Sequence, residues 1–468
     1  MNEKELTKAR VDVKHPYLVM MGLYLGAFIG MFSETSLNIA LPELMQIFHV
    51  DSSIAQWLVV GYMLVIALVL PFASLLMKLY PTRKLTLFAL SVFMLGALCS
   101  ALAPNFPLLL IGRLMQGVGT GLILPMMFAI VLEVFPANKI GQAMGVTSLI
   151  IMFAPAIGPT LSGIILGFAS WRILFLLFAI ILLIAIAFTY KYAVNPYTLV
   201  KTKIDGLSCI SSCLGFGGIV LGAGLASMYG WISTPVLLSL IVGIFSLLIY
   251  CRRQLKMEHP ILNLNAFKTR SFCIGTLLIM FNFGITLSAM YILPQYLQNG
   301  LGYSVTMAGI LMLPGGIINA LFSLSAGKFY DKMGAKLLGK CGFFLSLVGV
   351  ILFLQTTKST SSLYVIVCHI IVMIGVPLAM SPCQSYGLNA LPSNLSTDGS
   401  TIQNMMQQVF GAISTAVSTS LLGIGKAAYI GKNTQDAFVN GVHYAFVFTL
   451  ILAFIGFVLS FKIKENKQ

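Results

Sequence analysis

Long apolar runs, interrupted at intervals by short polar stretches, occupy this chain from residue 17 to residue 463. At about 20 apolar residues per membrane-crossing helix, the pattern predicts fourteen spans, at 17–40, 54–77, 85–103, 107–133, 140–166, 170–190, 207–227, 235–251, 271–296, 306–327, 337–355, 361–389, 401–424 and 442–463. No break between them is long enough for a soluble domain; the longest are 191–206 and 252–270. These two flank the seventh and eighth spans. The expected organisation is therefore an N-terminal tail (1–16), a six-helix bundle (17–190), a linker carrying two additional helices (191–270), a second six-helix bundle (271–463) and a C-terminal tail (464–468). The fold class is an all-α polytopic membrane protein with 14 transmembrane helices. In the second linker stretch, Ile261, Leu262, Leu264 and Phe267 are interleaved with basic residues. That mixture suits a segment lying on the inner leaflet, a plain solvated linker being the other reading.

Composition agrees with the pattern: mean hydropathy is +0.95, with 58% hydrophobic and 9% charged residues, far from the balance of a soluble domain. A net charge of +15 would by itself suggest nucleic acid as a partner, but the position of the charges argues against it. Of the 28 Lys and Arg residues, twenty-three fall in the tails and in every second connection. By the positive-inside rule this bias puts both termini in the cytoplasm, and the basic residues are topology signals. The start of the chain leads into an apolar run too long for a signal-peptide core, so the first span is expected to stay in the mature protein. The eight cysteines lie in or at the edges of spans without the company of further ligands, which fits packing thiols and no metal. Trp57, Trp171 and Trp231 fall near predicted outer ends of spans, as interfacial aromatics do.

Charges inside spans are few and carry the candidate chemistry. Glu34 lies in S-E-T-S-L-N-I-A-L-P at the outer end of the first span, with Asn38 one turn further on the same face. A carboxyl at membrane depth costs about 2.5–3.5 kcal/mol, so such residues usually face a wet cavity and carry a function. Glu34 is the candidate for proton coupling or for binding a substrate cation; a carboxyl that only ties its helix to a neighbour is the competing reading. The fourth span opens L-L-L-I-G-R-L-M-Q-G-V-G-T-G, where Arg113 keeps its proton and needs a partner. At 1.5 Å rise per residue, Glu34 lies roughly 25 Å along an outgoing helix and Arg113 roughly 9 Å along an incoming one, which puts both in the outer half of the bilayer. Arg113 is thus expected either to act on Glu34 or to hold backbone carbonyls of a neighbouring helix. Cavity candidates are the amides Asn38, Gln116, Asn282, Gln384 and Gln407, the last among the polar positions Gln403, Asn404, Gln407 and Gln408 of span 13. Interhelical hydrogen bonding is the alternative for each. Span 5 holds Pro155 and Pro159, which favour a kink, with Gly158, Ser162 and Gly163 as a small-residue face. Glu133, at the inner end of span 4, reads as gate or as surface. No phosphate-binding G-x-x-x-x-G-K-[ST], H-E-x-x-H or G-x-S-x-G sequence occurs, which leaves an ion gradient as the energy source.

Taken together these motifs resemble the major facilitator superfamily and, within it, the fourteen-helix drug:proton antiporters, over essentially the whole chain. R-L-M-Q-G-V-G-T-G resembles the helix 4 signature R-x-x-Q-G-x-G, and A-P-A-I-G-P-T-L-S-G the antiporter signature G-P-x-x-G-G, carried here by Pro155, Gly158, Pro159 and Gly163. H-P-I-L-N-L-N-A-F-K-T-R-S-F is similar to the stretch that precedes helix 9, and the helix 1 stretch is most similar to the lincomycin-resistance type of exporter. The second-half loop G-K-F-Y-D-K-M-G-A-K fits the family's cytoplasmic gate pattern, through Gly327, Asp331 and Gly334. Its first-half counterpart departs from it at Leu75, Leu79 and Thr82. The family's helix 1 acid aligns with Ser33, one residue before Glu34. The resemblance implies a major facilitator fold of two six-helix bundles rocking about a midplane cavity, with helices 7 and 8 peripheral. It implies a proton-coupled exporter of amphipathic drugs, lincosamides or lipophilic cations, in a bacterial cell membrane. Its partners would be small hydrophobic drugs, protons and membrane lipid, without cofactor, metal or nucleic acid, and the protein would be a monomer. Export of an endogenous metabolite, peptide or lipid is the alternative.

Overall fold

The structure, a computed structural model, describes residues 15–136, 140–195, 205–257, 260–392, 395–431 and 433–464. Regular structure among them is helical throughout. In chain order the spans are α1 (Pro16–Phe48), α2 (Trp57–Leu79), α3 (Thr82–Ala101), α4 (Phe106–Val134), α5 (Ile140–Leu166), α6 (Trp171–Tyr192), α7 (Gly206–Tyr229), α8 (Thr234–Lys256) and α9 (Arg270–Gln295). They continue as α10 (Val305–Ala326), α11 (Met333–Phe353), α12 (Ser362–Asn389), α13 (Ser396–Ala427) and α14 (Thr434–Ser460). Local chemistry sets many of the starts: Asn105, Ser304 and Ser361 each accept from a backbone N–H in the first turn of the helix they precede. Between α10 and α11 the chain runs on without a loop, and the break falls at Gly334, whose φ of +71° only glycine adopts without strain.

Two differences from the hydropathy pattern have a physical reason. The first helix continues two turns past Pro42 to Phe48, because the polar residues that end the apolar run remain good helix formers beyond the membrane core. Trp171 is 1% exposed rather than interfacial, packed edge-on against Phe48 and Phe175.

The two halves share one packing scheme. In the first, α1 packs on α4, α5 and α6, α4 on α2 and α3, and α3 on α6. In the second, α9 packs on α12, α13 and α14, α12 on the α10–α11 unit, and that unit on α14. The repeat reaches single residues. A Cβ on Gly112 of α4 would fall 2.3 Å from Ser100 Oγ and 2.7 Å from Gly96 O of α3. One on Gly375 of α12 would fall 2.5 Å from both Ser346 Oγ and Gly342 O of α11. Each half thus uses a G-x-x-x-S turn to let two helices touch backbone to backbone. That is how helices associate where lipid removes the hydrophobic driving force.

Across the seam α1 meets α9, α2 meets α13, and α5 meets α10, where a Cβ on Gly163 would lie 2.8 Å from the Cα of Gly309. The extra pair α7–α8 packs on itself, and α7 reaches both α2 and α13. Most of α8 faces outward. Arg253 at the end of α8 is bonded to Asp205 before α7 at 2.8 Å. Gln254 Oε1 accepts from Ile261 N (2.7 Å) and Leu262 N (3.2 Å), which folds the linker back onto the helix ends. Ile261, Leu262 and Leu264 are accordingly buried in protein, while Phe267 stays exposed.

Candidate functional site at the seam between the halves

From Gly30 to Pro42, α1 is buried on every face, because it packs on helices of its own half and on α9 of the other. Ser33 and Glu34 therefore point into different protein environments, about 100° apart around the helix.

Ser33 faces α4. Arg113 Nη1 donates to Ser33 Oγ (2.5 Å) and Gln116 Oε1 (2.8 Å), Nη2 to Ser33 O (3.2 Å), and Nε to Leu58 O of α2 (3.0 Å). The guanidinium lies 4.2 Å from the centroid of the Tyr62 ring. Tyr62 in turn donates to Gly30 O (2.9 Å) and contacts Thr120 Oγ1 at 2.7 Å. Gln116 Nε2 donates to Gly96 O (3.2 Å) and Ser100 Oγ (2.9 Å). One fully buried cation thus ties α1, α2 and α4 through planar, directed bonds that only an arginine supplies, and Gln116 extends the cluster to α3. Of the two roles the sequence leaves open for Arg113, the geometry displays the holding of carbonyls and hydroxyls.

Glu34 faces the other way. It is 1% exposed, and neither carboxyl oxygen has a hydrogen-bond partner. The groups acting on it are the Gln408 side chain of α13, in the opposite half, and Arg113 at longer range. Gln408 Oε1 is itself buried and unpartnered. Gln408 can present its amide N–H to the Glu34 carboxyl, so this carboxyl meets the opposite half through a side chain able to answer it.

Two adjoining spaces lie between the halves. One, a narrow space of about 30 Å³, is lined by Ile151 and Pro155 of α5, Asn282, Thr286 and Met290 of α9, and Asn319 of α10. The other is lined by Phe128 of α4, Gln384 of α12, and Asn404 and Gln407 of α13. Ile151 and Met380 line both. Of the sequence candidates, Asn282, Gln384 and Gln407 are brought to these walls. Both amide atoms of Asn282 and Nε2 of Gln407 lack partners. Asn38 and Gln116 lie elsewhere: Asn38 Nδ2 donates to Met290 O (3.3 Å), joining α1 to α9, and Gln116 belongs to the arginine cluster. Asn38 is kept from the cavity because α1 is surrounded there, and Gln116 because its amide is used by Arg113 and by α3.

The prolines of α5 act on α1. Pro159 brings no N–H, so the carbonyl of Pro155 four residues earlier is left free, and Thr35 Oγ1 of α1 donates to it at 2.9 Å. The helix bends by 41° between Leu149–Pro155 and Ile157–Leu166. Gly158 admits Thr35, whose Oγ1 would be 2.4 Å from a Cβ there. Of the gate candidates, Gly334 is the α10–α11 break and Glu133 is half-buried in the last turn of α4. Gly327 and Asp331 belong to the helical backbone before that break, and their side-chain contacts lie outside the described residues.

Tyr62, Leu58 and His369 went unmarked in the sequence. Tyr62 and Leu58 carry no charge and look like ordinary helix residues, and only the fold brings them under Arg113. His369 on α12 is 2% exposed with both ring nitrogens unpartnered, its ring against Gly315 of α10. A lone histidine inside an apolar span was the available signal.

Comparisons with known proteins agree with this architecture. The family model described as Major Facilitator Superfamily matches residues 23–415. The lincomycin resistance protein LmrB of Listeria monocytogenes is 42% identical over 459 residues, 97% of this chain and 98% of its own. LmrB of Bacillus subtilis is 42% identical over 460 residues, 96% of each chain. Among solved structures, a POT family transporter in complex with 5-aminolevulinic acid has a TM-score of 0.69 at 18% identity, covering 95% of this chain and 96% of that one, which speaks to the fold alone.

Proposed function

The chain belongs to the major facilitator superfamily, whose members are transporters and not enzymes, and from that premise we propose a proton-coupled antiporter that exports amphipathic drugs across the bacterial cell membrane. The observation that carries the reading is Glu34, a buried carboxyl without a hydrogen-bond partner at the seam of the two halves, aimed at Gln408 of the opposite half. A proton taken up there changes a contact between the halves, which is what coupling requires. The neighbouring walls combine unpartnered amides with Ile, Phe and Met side chains, adaptable surfaces for lincosamides or lipophilic cations.

In this cycle Glu34 is protonated from outside, the cavity turns inward, drug binding favours loss of the proton to the cytoplasm, and the loaded protein turns outward. The conformer seen here is joined across the halves where α1 ends, by Asn38 to Met290 O and by Gln298 Nε2 to Ile39 O (3.1 Å). With both termini cytoplasmic, that end would be the outer one, and it is closed in this conformer. Gly334 and Asp331 would then form the cytoplasmic gate with Glu133. One proton moving down 100 mV provides about 2.3 kcal/mol, enough for a drug gradient of about 50-fold. The test is drug-triggered proton release from acid-loaded proteoliposomes of the purified protein, using lincomycin, ethidium and a neutral lipophilic drug. Release in wild type and its loss in Glu34→Gln is the expected result; full proton-coupled export by Glu34→Gln would sink the assignment.

A further inference from the structure

We propose that the groove between α7 and α13, at the membrane surface where both helices end, binds an anionic phospholipid, with its phosphate on Lys426 and its glycerol and ester oxygens on the hydroxyls of Ser420 and Ser52. The groove measures about 370 Å³ and lies on the seam, walled by the Ser52–Ala55 turn before α2, the end of α7 with Trp231, and the last two turns of α13.

Its polar wall is satisfied within the protein except at two hydroxyls, those of Ser420 and Ser52. Ser53 Oγ donates to Ser227 O (2.9 Å) and Ser227 Oγ to Gly224 O (2.8 Å), so those hydroxyls are used within the protein. Ser420, 7% exposed, and Ser52 each bury an Oγ that has no partner. A buried hydroxyl without a partner costs free energy, more so beside lipid, where water is scarce. Lys426 sits at the mouth with its Nζ 5.3 Å from the centroid of the Phe438 ring and no ion pair among the described residues. By contrast Lys358, on the same side of the protein, is bonded to Asp436 at 2.8 Å. Asp51, beside the groove, accepts from Ile54 N through Oδ1 at 2.9 Å, which directs that oxygen to the backbone of its own turn. A cation and two free hydroxyls therefore meet in one groove whose margin is apolar: Trp231 and Ile424 are 37% and 50% exposed. That combination suits an amphiphile with an anionic head at the bilayer surface, the level at which tryptophans anchor. The site shares no residue with the cavity or with Glu34, and its test by binding needs no turnover.

The test is thermal unfolding and native mass spectrometry of the delipidated, detergent-solubilised full chain, titrated with phosphatidylglycerol, phosphatidylcholine or inorganic phosphate. Phosphatidylglycerol should bind and raise the unfolding temperature to a plateau, with little response to the other two. Lys426→Gln should weaken it about five-fold, the effect of losing about 1 kcal/mol of headgroup attraction. Ser420→Ala, which removes a hydroxyl the fold does not use, should weaken it as well, and Lys358→Gln should not. Equal binding of phosphatidylcholine, or unchanged phosphatidylglycerol binding in both groove variants, would overturn the proposal. So would an equal response to inorganic phosphate, which would mark a site for free anions.

Discussion

Replacing Arg113 by lysine keeps the positive charge and removes the planar fork, and so separates two ways in which this residue can matter. The guanidinium sends four hydrogen bonds from three nitrogens to acceptors on α1, α2 and α4. A lysine Nζ at the same depth can take over the Ser33 Oγ and Gln116 Oε1 bonds, which leave from a single nitrogen. It cannot also reach Leu58 O and Ser33 O, which are served from the other two. A hydrogen bond to a charged group contributes about 1.5–3 kcal/mol, so losing two would cost about 3–6 kcal/mol. Both carbonyls retain other bonds, Ser33 O accepting from Ser36 Oγ at 3.3 Å, and the expected loss therefore lies at the lower end, about 3 kcal/mol. Equilibrium unfolding of wild type and Arg113→Lys in mixed detergent micelles measures this directly, with Arg113→Gln as the charge-free reference. If Arg113→Lys stays within about 0.5 kcal/mol of wild type while Arg113→Gln falls, charge and not geometry is what the site uses, and the reasoning from the bond directions is wrong.

Three further outcomes follow from other parts of the fold. The Asp205 carboxyl, outside the membrane spans, is held below the usual carboxylate range, first by the Ser208 hydroxyl and then by Arg253. Its contribution to stability is therefore present above the unfolded carboxylate pKa and lost as pH falls through the lower folded value; hydrogen exchange at the start of α7 should speed up below about pH 4, with Asp205→Asn removing that step. Gly375→Ala and Gly112→Ala should each lower stability by about 1–3 kcal/mol, seen as lower unfolding temperatures, because both place a methyl within 2.5 Å of a neighbouring helix; tolerance of one alone would show that the two contacts are not equivalent. Asn38→Leu removes a bond between α1 and α9 and should shift the population toward the conformer open at that end, read as a longer spin-label distance across it.

The spans were legible because a bilayer demands about 20 apolar residues of each, and few other signals compete with that one. Which faces meet was not, because hydropathy does not distinguish a lipid-facing leucine from one packed on another helix. The equivalence of Gly96–Ser100 with Gly342–Ser346 is two residues per half, too little to see without the packing that aligns them. Within the site, Glu34 and Arg113 stood out as charges in apolar runs, but the direction in which each points depends on rotation about the helix axis. Asn38 and Gln116 show the same limit: an amide in a span has the same sequence whether it lines a cavity or bonds a neighbour. The prolines of α5 announced a bend, whereas the hydroxyl that answers the freed carbonyl lies 120 residues away on α1.

The attachment of α7 has a bearing on movement in the membrane plane. Its C-terminal end is fastened to the start of α2: Gln56 donates to Gly224 O and to Ser227 Oγ, Ser53 donates to Ser227 O, and the Trp57 indole points at the Met228 sulfur. Its contact with α13 runs along helix flanks. If the halves turn against each other as in the proposed cycle, these directed bonds would carry α7 and α8 with the first half, so that an eight-helix body would swing against a six-helix one. The heavier body meets more lipid drag, and the lighter second half should sweep the larger arc, with α13 sliding past α7 as past a fixed rail.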